Sequence, residues 1–396
     1  MFLLCTPLTY PYYLLCATQL LKTSVSSSLG MAGAEEKIRE LEDLIAKSQY
    51  NKRTQHAIGL YKAQLARLKE KQEARKTAAS AKKGEGYAVR KTGDGTVVLL
   101  GFPSVGKSTL LNGLTDAKSE VGSYAFTTLT VIPGMLEYEH AKIQVLDVPG
   151  VVRGAASGKG RGTEVFAVLR SADLILLLID VHYPEHYDVL LREVRDAHIR
   201  INARRPDVKL VKTSKDGIRI GKTCRLTKLD DPTIKSILRE FRINNADLVI
   251  REDISDDQLI DVIEANKHYV PAITVVNKID SADEATVKRV AKRVRADLLI
   301  SAQDQEHLDE LKELIFEQLD LVRIYLKEPG KDADLDVPLI MTKGCSIKSV
   351  CEKLHRDFVE KFKFARVWGK SAKFPGQKHM LAHLLVDGDI LELHLR

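Results

Sequence analysis

The segment Thr96–Leu114, TVVLLGFPSVGKSTLLNGL, constrains this chain more than any other stretch. An apolar run leads into Gly101, Gly106, Lys107 and Ser108, spaced G-x-x-x-x-G-K-S, and a helical pattern follows. Glycine reaches backbone conformations closed to other residues. A strand, this loop and a helix start together predict amide groups turned inward around an anion, with the helix N-terminus adding positive potential. Lys107 is expected on the β/γ-phosphates of a nucleotide and Ser108 on Mg²⁺. Phe102, Pro103, Ser104, Val105 and Thr109 complete the expected cradle. The competing reading, a purely structural glycine turn, leaves the lysine without a task.

The runs GMLEYE, KIQVLD, DLILLLID, AITVVN and DLLIS alternate with helical patterns downstream. Continuous Val/Ile/Leu runs suit strands covered on both faces, so an open α/β sheet is predicted. GMLEYEHAKIQVLD, two runs joined by a short link, predicts one antiparallel pair at an edge. The interval from DLILLLID to AITVVN far exceeds the roughly a dozen residues that one crossover needs. Residues 205–268, with the helix–strand–helix pattern DDPTIKSILREF, ADLVI and SDDQLIDVIEA, are therefore read as a small inserted α/β subdomain within a nucleotide-binding domain at 94–326.

Residues 34–83 read as two basic helices, with apolar stripes at Ile38, Leu41, Leu44, Ile45 and at Ile58, Tyr61, Leu65, Leu68. Thr54 is the expected N-cap of the second. TAASAKKGEGY reads as a linker. Residues 327–396 read as a β-rich domain with strands at FARVWG and DILELHL. Phe358, Phe362, Phe364 and Trp368 are expected in its core, although lysines interleaved with these aromatics also fit RNA contact.

A length of 396 residues predicts two or three domains. The five cysteines form no CxxC pair, which fits a reduced, cytoplasmic setting. Net charge is +7, and the span Glu35–Lys91 holds 15 Lys and Arg against 8 Asp and Glu, so the remainder balances. A positive arm on a neutral body points to an anionic partner such as RNA; a solvated helical face is the alternative. MFLLCTPLTYPYYLLCATQL is interrupted by Pro7 and Pro11 and has no preceding basic residues, unlike a secretory or mitochondrial signal. Residues 1–33 are expected to be a gene-model artefact or disordered extension, with Met31 opening the working protein; a cleaved targeting segment is the alternative. No membrane span is expected.

NKID, Asn277, Lys278, Ile279 and Asp280, closes the run AITVV. A carboxylate accepts from both guanine N1–H and N2–H₂, a donor pair adenine lacks, so Asp280 would select guanine. Asn277 would bridge to the phosphate loop or base edge, and the Lys278 stem would cover a ring face. Ser301, Ala302 and Gln303 end the next run and would offer amides to guanine O6. In DVPG, Asp147 would hold Mg²⁺ through water and the Gly150 amide would touch the γ-phosphate, with Val148 and Pro149 between them. Phe126, Thr127 and Thr128 lie between these motifs. Thr128 is the expected second protein ligand to Mg²⁺, with Thr127 the alternative. Lys107, Thr128 and Gly150 are the expected catalytic residues. Ras-like enzymes place a water-orienting glutamine where this chain has Val151, which predicts slow hydrolysis. The glycine-dense stretch Gly154–Gly162 is expected to rearrange between nucleotide states. His182 and His186 lack a third ligand nearby and are not expected to bind metal.

These motifs, in this order, resemble the Obg-type GTPases and most closely the developmentally regulated GTP-binding (DRG) family. GFPSVGKSTLL, FTTLTVIPG, DVPGVVRGAASGKGRG, NADLVIREDISDDQLIDVIEANKHYVP, NKID and LVRIY carry the resemblance, which spans Ala34–Arg396. It implies an N-terminal helix-turn-helix region, a P-loop GTPase domain with an inserted α/β subdomain, and a C-terminal β-grasp (TGS) domain. It further implies GTP/GDP as ligands, Mg²⁺ as cofactor, K⁺ as a stimulating ion, a ribosome or rRNA partner, and a stabilising regulatory protein. An RNA- or ribosome-binding scaffold, with nucleotide only a structural ligand, is the rival reading.

Overall fold

The computed structural model describes residues 35–49, 51, 54–79, 91–115, 124–125, 130–148 and 162–396. The chain divides into two compact units, Met1–Gly84 with Arg205–Asn266, and Glu85–Arg204 with Lys267–Arg396.

The first unit opens with helices α1 (residues 35–47) and α2 (Gln55–Ala79), joined across the hairpin by Lys69 and Glu42 at 3.0 Å. Thr54 stands immediately before α2 and its carbonyl accepts from the Ile58 amide at 2.9 Å, the place expected of the N-cap. The Asn51 side-chain oxygen accepts from the Thr54 amide at 3.0 Å, and the Thr54 hydroxyl accepts from the Asn51 amide at 3.1 Å. The Gln55 amide already donates to the Asn51 carbonyl at 2.9 Å. These bonds close a turn from Asn51 to Thr54 that leads into the helix.

The second unit follows with β1 (Gly95–Leu100), α3 (Lys107–Leu114), β2 (Tyr124–Ala125), β3 (Thr130–Tyr138), β4 (Ala141–Asp147), α4 (Gly162–Ser171), β5 (Leu174–Asp180), α5 (His186–Asp196) and β6 (Ile199–Ile201). β3 and β4 pair antiparallel as expected, through the two residues Glu139 and His140, both left-handed. Positive φ at both positions matches the right-handed twist of the flanking strands.

The chain then re-enters the first unit as β7 (Val208–Lys212), β8 (Ile218–Lys222), α6 (Asp231–Glu240), β9 (Ala246–Ile250) and α7 (Asp256–Glu264). The helix–strand–helix pattern is present, but β7 and β8 flank β9 to make a three-stranded sheet. Ile234, Ile237, Leu238, Leu259 and Ala63 of α2 pack with Leu248 and Ile250 in its core. Lys62 of α2 pairs with Asp256 at 3.1 Å and Asp257 at 2.7 Å, and Arg67 with Glu240 at 2.8 Å.

Back in the second unit come β10 (His268–Val270), β11 (Ala272–Asn277), a 3-10 turn (Ile279–Ser281), α8 (Glu284–Val294), β12 (Leu298–Leu299) and α9 (Leu308–Gln318). The seven-stranded sheet runs β12-β11-β5-β1-β4-β3-β2. β1 lies parallel to both β4 and β5, and β5 parallel to β11. Alternate residues of β5 enter opposite layers, Ile175 and Leu177 with α4 and α5, Leu174 and Leu176 with α3 and α9. Burial on both faces is why these runs are apolar throughout.

The chain ends with β13 (Leu321–Lys327), β14 (Leu339–Thr342), α10 (Ile347–Leu354), α11 (Arg356–Glu360), β15 (Phe362–Trp368), β16 (Gln377–His379) and β17 (Ile390–Leu395). Its five-stranded sheet runs β14-β13-β17-β15-β16, with β13 and β17 parallel at the centre. The sheet starts at Leu321, ahead of the boundary expected at 327. The Leu319–Asp320 turn contains neither Gly nor Pro, so nothing in the residues separates β13 from the helix before it. Phe358 and Phe362 join the core here, as expected. Phe364 and Trp368 do not: they alternate with the core residues Ala365 and Val367. Phe364 stacks on His394 at 4.3 Å, and Lys327 Nζ lies 4.6 Å from the Trp368 ring centroid.

Candidate nucleotide site

β1 lies where the chain turns from one side of the sheet to the other, and open α/β sheets bind ligands in the crevice beyond such carboxyl ends. The parallel strands around β1 end here in polar residues: Asp147 on β4, Asp180 on β5 and Asn277 on β11. All three are buried.

The loop from Gly101 to Gly106 joins β1 to α3. Gly106 is left-handed at φ 98°, with the Asn277 amide packed where a Cβ would stand. At Gly101 a Cβ would fall 2.8 Å from the Leu178 carbonyl oxygen. Both glycines are thus required by close approach, and Gly106 by its left-handed conformation as well. Val105 is buried, while Pro103, Ser104, Ser108 and Thr109 are exposed. Phe102 stacks on His186 at 4.0 Å.

Lys107 is only 7% exposed. Its ammonium donates to the Gly101 carbonyl at 3.2 Å and the Phe102 carbonyl at 3.0 Å, and among the described residues it makes no ion pair. Burial pushes its pKa below the ordinary lysine range, and Asp147 opposes that shift. A buried cation held by neutral acceptors is costly to keep, and it leaves a charge that an anion can match. The Ser108 hydroxyl donates to Asp147 Oδ2 at 2.6 Å. A hydroxyl and a carboxylate are hard oxygen donors of the kind Mg²⁺ takes, so these two residues fit the expected ion.

The base end is joined to this loop through Asn277. Its side-chain amide donates to the Val105 carbonyl at 2.8 Å, and its oxygen accepts from the Ala302 amide at 2.9 Å. One buried side chain therefore fixes the phosphate loop, the end of β11 and the Ser301–Gln303 segment together. Asp280 is exposed, and its Oδ1 accepts from the Ser301 hydroxyl at 2.7 Å. That bond orients the carboxylate and leaves its other oxygen without a partner among the described residues. Gln303 is exposed beside it, and Ile279 packs on the α4–α5 layer.

Lys278 makes a bond to a neighbouring strand end. It is left-handed at φ 66°, and its ammonium pairs with Asp180 Oδ2 at 2.7 Å. Asp180 also accepts from the His182 amide at 2.9 Å. The polar end of an otherwise apolar run was the available signal for Asp180. The imidazoles are engaged as well: His182 with the Ser281 hydroxyl at 2.9 Å, and His186 between Phe102 and Tyr183. Phe126, Thr127, Thr128, Pro149, Gly150 and Val151, with residues 154–161, lie outside the described residues. Val148 is buried.

Comparison with known sequences agrees with this geometry. Residues 96–212 match the family model described as a 50S ribosome-binding GTPase, residues 215–321 the C-terminal region of the MMR_HSR1 domain, and residues 322–395 the TGS domain. An uncharacterized GTP-binding protein of Methanocaldococcus jannaschii is 52% identical over 92% of this chain and 93% of its own length. Developmentally-regulated GTP-binding protein 1 of Xenopus laevis is 42% identical, covering 92% and 99%. Developmentally-regulated GTP-binding protein 2 of Homo sapiens is 42% identical, covering 91% and 99%. No helix among the described residues is long and apolar enough to cross a membrane. A phosphate loop and an N-K-x-D segment tied by one asparagine, a subdomain inserted between them and a β-grasp C-terminus thus meet full-length identity above 40%: the chain belongs to the developmentally regulated GTP-binding protein family of P-loop GTPases.

Proposed function

We propose that this GTPase is a slow switch that binds Mg²⁺·GTP at the carboxyl edge of its sheet, hydrolyses it to GDP and phosphate, and regulates translation on the ribosome from the cytoplasm. The hydrogen-bonded line Val105–Asn277–Ala302, with Asp280 held by Ser301, carries the reading. It joins a phosphate-binding end and a guanine-selecting end through one side chain.

In this reading the inward amides of Gly101–Ser108 hold the β-phosphate and Lys107 matches the β/γ charge, which stabilises the charge that builds on the leaving oxygens. The Asp280 carboxylate accepts from guanine N1–H and N2–H₂. Lys278, drawn to Asp180, presents its methylene stem to the purine face. Ser108, Asp147 and Thr128 would hold Mg²⁺, which neutralises phosphate charge when bound. The Gly150 amide would contact the γ-phosphate. Val151 cannot orient water through its side chain, so a slow intrinsic rate follows. K⁺ as a stimulating ion, an rRNA contact and a stabilising regulatory protein belong to the same proposal.

Single-turnover hydrolysis of GTP in Mg²⁺, in potassium and sodium buffers, tests it. Phosphate release above background that disappears in Lys107→Ala supports a switch. Tight GTP binding with no release would leave a scaffold that uses nucleotide as a structural ligand.

A further inference from the structure

The loop from β5 to α5 carries HYPEH, His182–His186, and each of its imidazoles meets a different segment of the nucleotide site. His182 belongs to a closed ring of hydrogen bonds. Its amide donates to Asp180 Oδ1 at 2.9 Å, and its Nε2 lies 2.9 Å from the Ser281 hydroxyl. That hydroxyl donates to the Lys278 carbonyl at 2.8 Å, and the Lys278 ammonium returns to Asp180 Oδ2 at 2.7 Å. A serine hydroxyl has one proton to give. The Lys278 carbonyl takes it, so the imidazole is the donor to Ser281, through Nε2–H. Lys278 sits left-handed at φ 66°, a conformation that a non-glycine residue keeps only where its surroundings hold it. The ring holds it by its carbonyl and by its ammonium at once.

His186 acts on the phosphate end. Its ring stacks on Phe102 with centroids 4.0 Å apart and planes 14° apart, and Tyr183 stacks with it at 5.4 Å. Phe102 belongs to the phosphate loop, and its carbonyl accepts from the Lys107 ammonium at 3.0 Å. Between the two histidines the chain is folded on itself: the Tyr183 amide donates to the Asp180 carbonyl at 3.0 Å, and the His186 amide to the Tyr183 carbonyl at 3.1 Å. Five residues therefore tie the NKID loop to the phosphate loop. Asn277 joins the same two segments through a buried amide; this loop joins them again nearer the surface.

We propose that His182 and His186 are positioning residues for the nucleotide, His182 setting the guanine-selecting loop through Ser281 and Lys278, and His186 setting the phosphate loop through Phe102. This rests on the guanine-nucleotide reading of the site and adds to it two residues that act through others. Loosening the NKID loop frees the segment that carries Asp280, so base discrimination falls with affinity. Loosening the phosphate loop weakens every nucleotide alike.

The test titrates the full chain with GDP and with IDP, which lacks the guanine N2 amino group, and follows thermal melting without nucleotide. His182→Ala is expected to weaken GDP about fivefold, the scale of one net hydrogen bond, and to narrow the preference for GDP over IDP. His182→Gln keeps an N–H donor and should restore both. His186→Ala should weaken GDP and IDP equally, by about fivefold for one aromatic pair, and His186→Phe should restore them. Binding and preference equal to the parent in both alanine variants would overturn the proposal. A lower melting temperature with nucleotide binding unchanged would also overturn it, and would leave the loop a purely structural element. A parent that binds GDP no better than IDP would remove the guanine site itself, and the role of His182 with it.

Discussion

The two edges of the seven-stranded sheet use the same residue types to opposite ends. At the amino edge, Asp173 accepts from the buried Thr96 amide at 3.0 Å and pairs with Lys91 at 2.5 Å. Asp297 accepts from the Thr274 amide at 2.8 Å, and Asp94 accepts from the Lys142 amide at 3.1 Å and pairs with Lys353 at 3.0 Å. Each carboxylate there closes a strand start or ties a neighbouring element, and each is matched by a donor of the chain itself. At the carboxyl edge Asp180 is matched by Lys278 and the His182 amide, but among the described residues Lys107 has only carbonyls, the Ser108 and Asp147 side chains have only each other, and Asp280 keeps one oxygen open. Satisfied polar groups hold a fold together, and unsatisfied ones at a strand terminus leave room for a ligand.

Substitutions at the two edges should therefore separate binding from stability. The largest effect is expected for Lys107→Ala. GTP affinity should fall about a hundredfold or more, the scale for removing one partner of a buried charge contact, while the unliganded protein melts no lower than the parent. Nucleotide titration beside thermal melts checks both halves. A large drop in melting temperature without nucleotide would place Lys107 among the structural residues instead.

Asn277→Ala comes next and should blur the contrast, because this side chain serves both roles. Leaving the Val105 carbonyl and Ala302 amide without their partner should cost about 2–4 kcal/mol of stability and weaken GTP about tenfold. Denaturant unfolding and titration of the same variant measure the pair. On the opposite edge, Asp173→Ala should cost about 1–2 kcal/mol by freeing the Thr96 amide, with GTP affinity within about twofold of the parent. An equal loss of GTP affinity there would erase the distinction between the edges.

The smallest effect lies further from the nucleotide, where Arg323 donates to Asp387 at 2.8 Å and to Glu139 on the β3–β4 turn at 2.7 Å. Hydrogen bonding from Arg323 holds the Asp387 carboxyl below the usual aspartate range. The pair's stabilisation, about 1 kcal/mol or less for partly exposed groups, is present above the ordinary aspartate value near pH 4. It is lost as pH falls through the depressed value. Asp387→Asn should therefore melt slightly lower at neutral pH and converge with the parent in acid. A gap that persists below pH 3 would assign the effect to something other than the carboxylate's charge.

Legibility from sequence followed the same division. The phosphate loop, NKID and the parallel strands could be read because their chemistry demands fixed residue types at fixed spacings. β7 and β8 could not: VKLVK and IRIGK are short, half-buried and rich in lysine, and their pairing with β9 is a tertiary fact. Their charge was masked by acids elsewhere in the chain. The partner of Lys278 was equally hidden, since Asp180 lies on a different strand far away in sequence.

Asp280 offers the most direct test of a guanine site at the carboxyl edge, by calorimetric titration of GTP and XTP into the parent and Asp280→Asn. The parent should prefer GTP strongly, and the variant should prefer XTP, because an amide presents one acceptor to xanthine N1–H and one donor to its O2. A variant that binds GTP as tightly as the parent, and still ahead of XTP, would contradict the account.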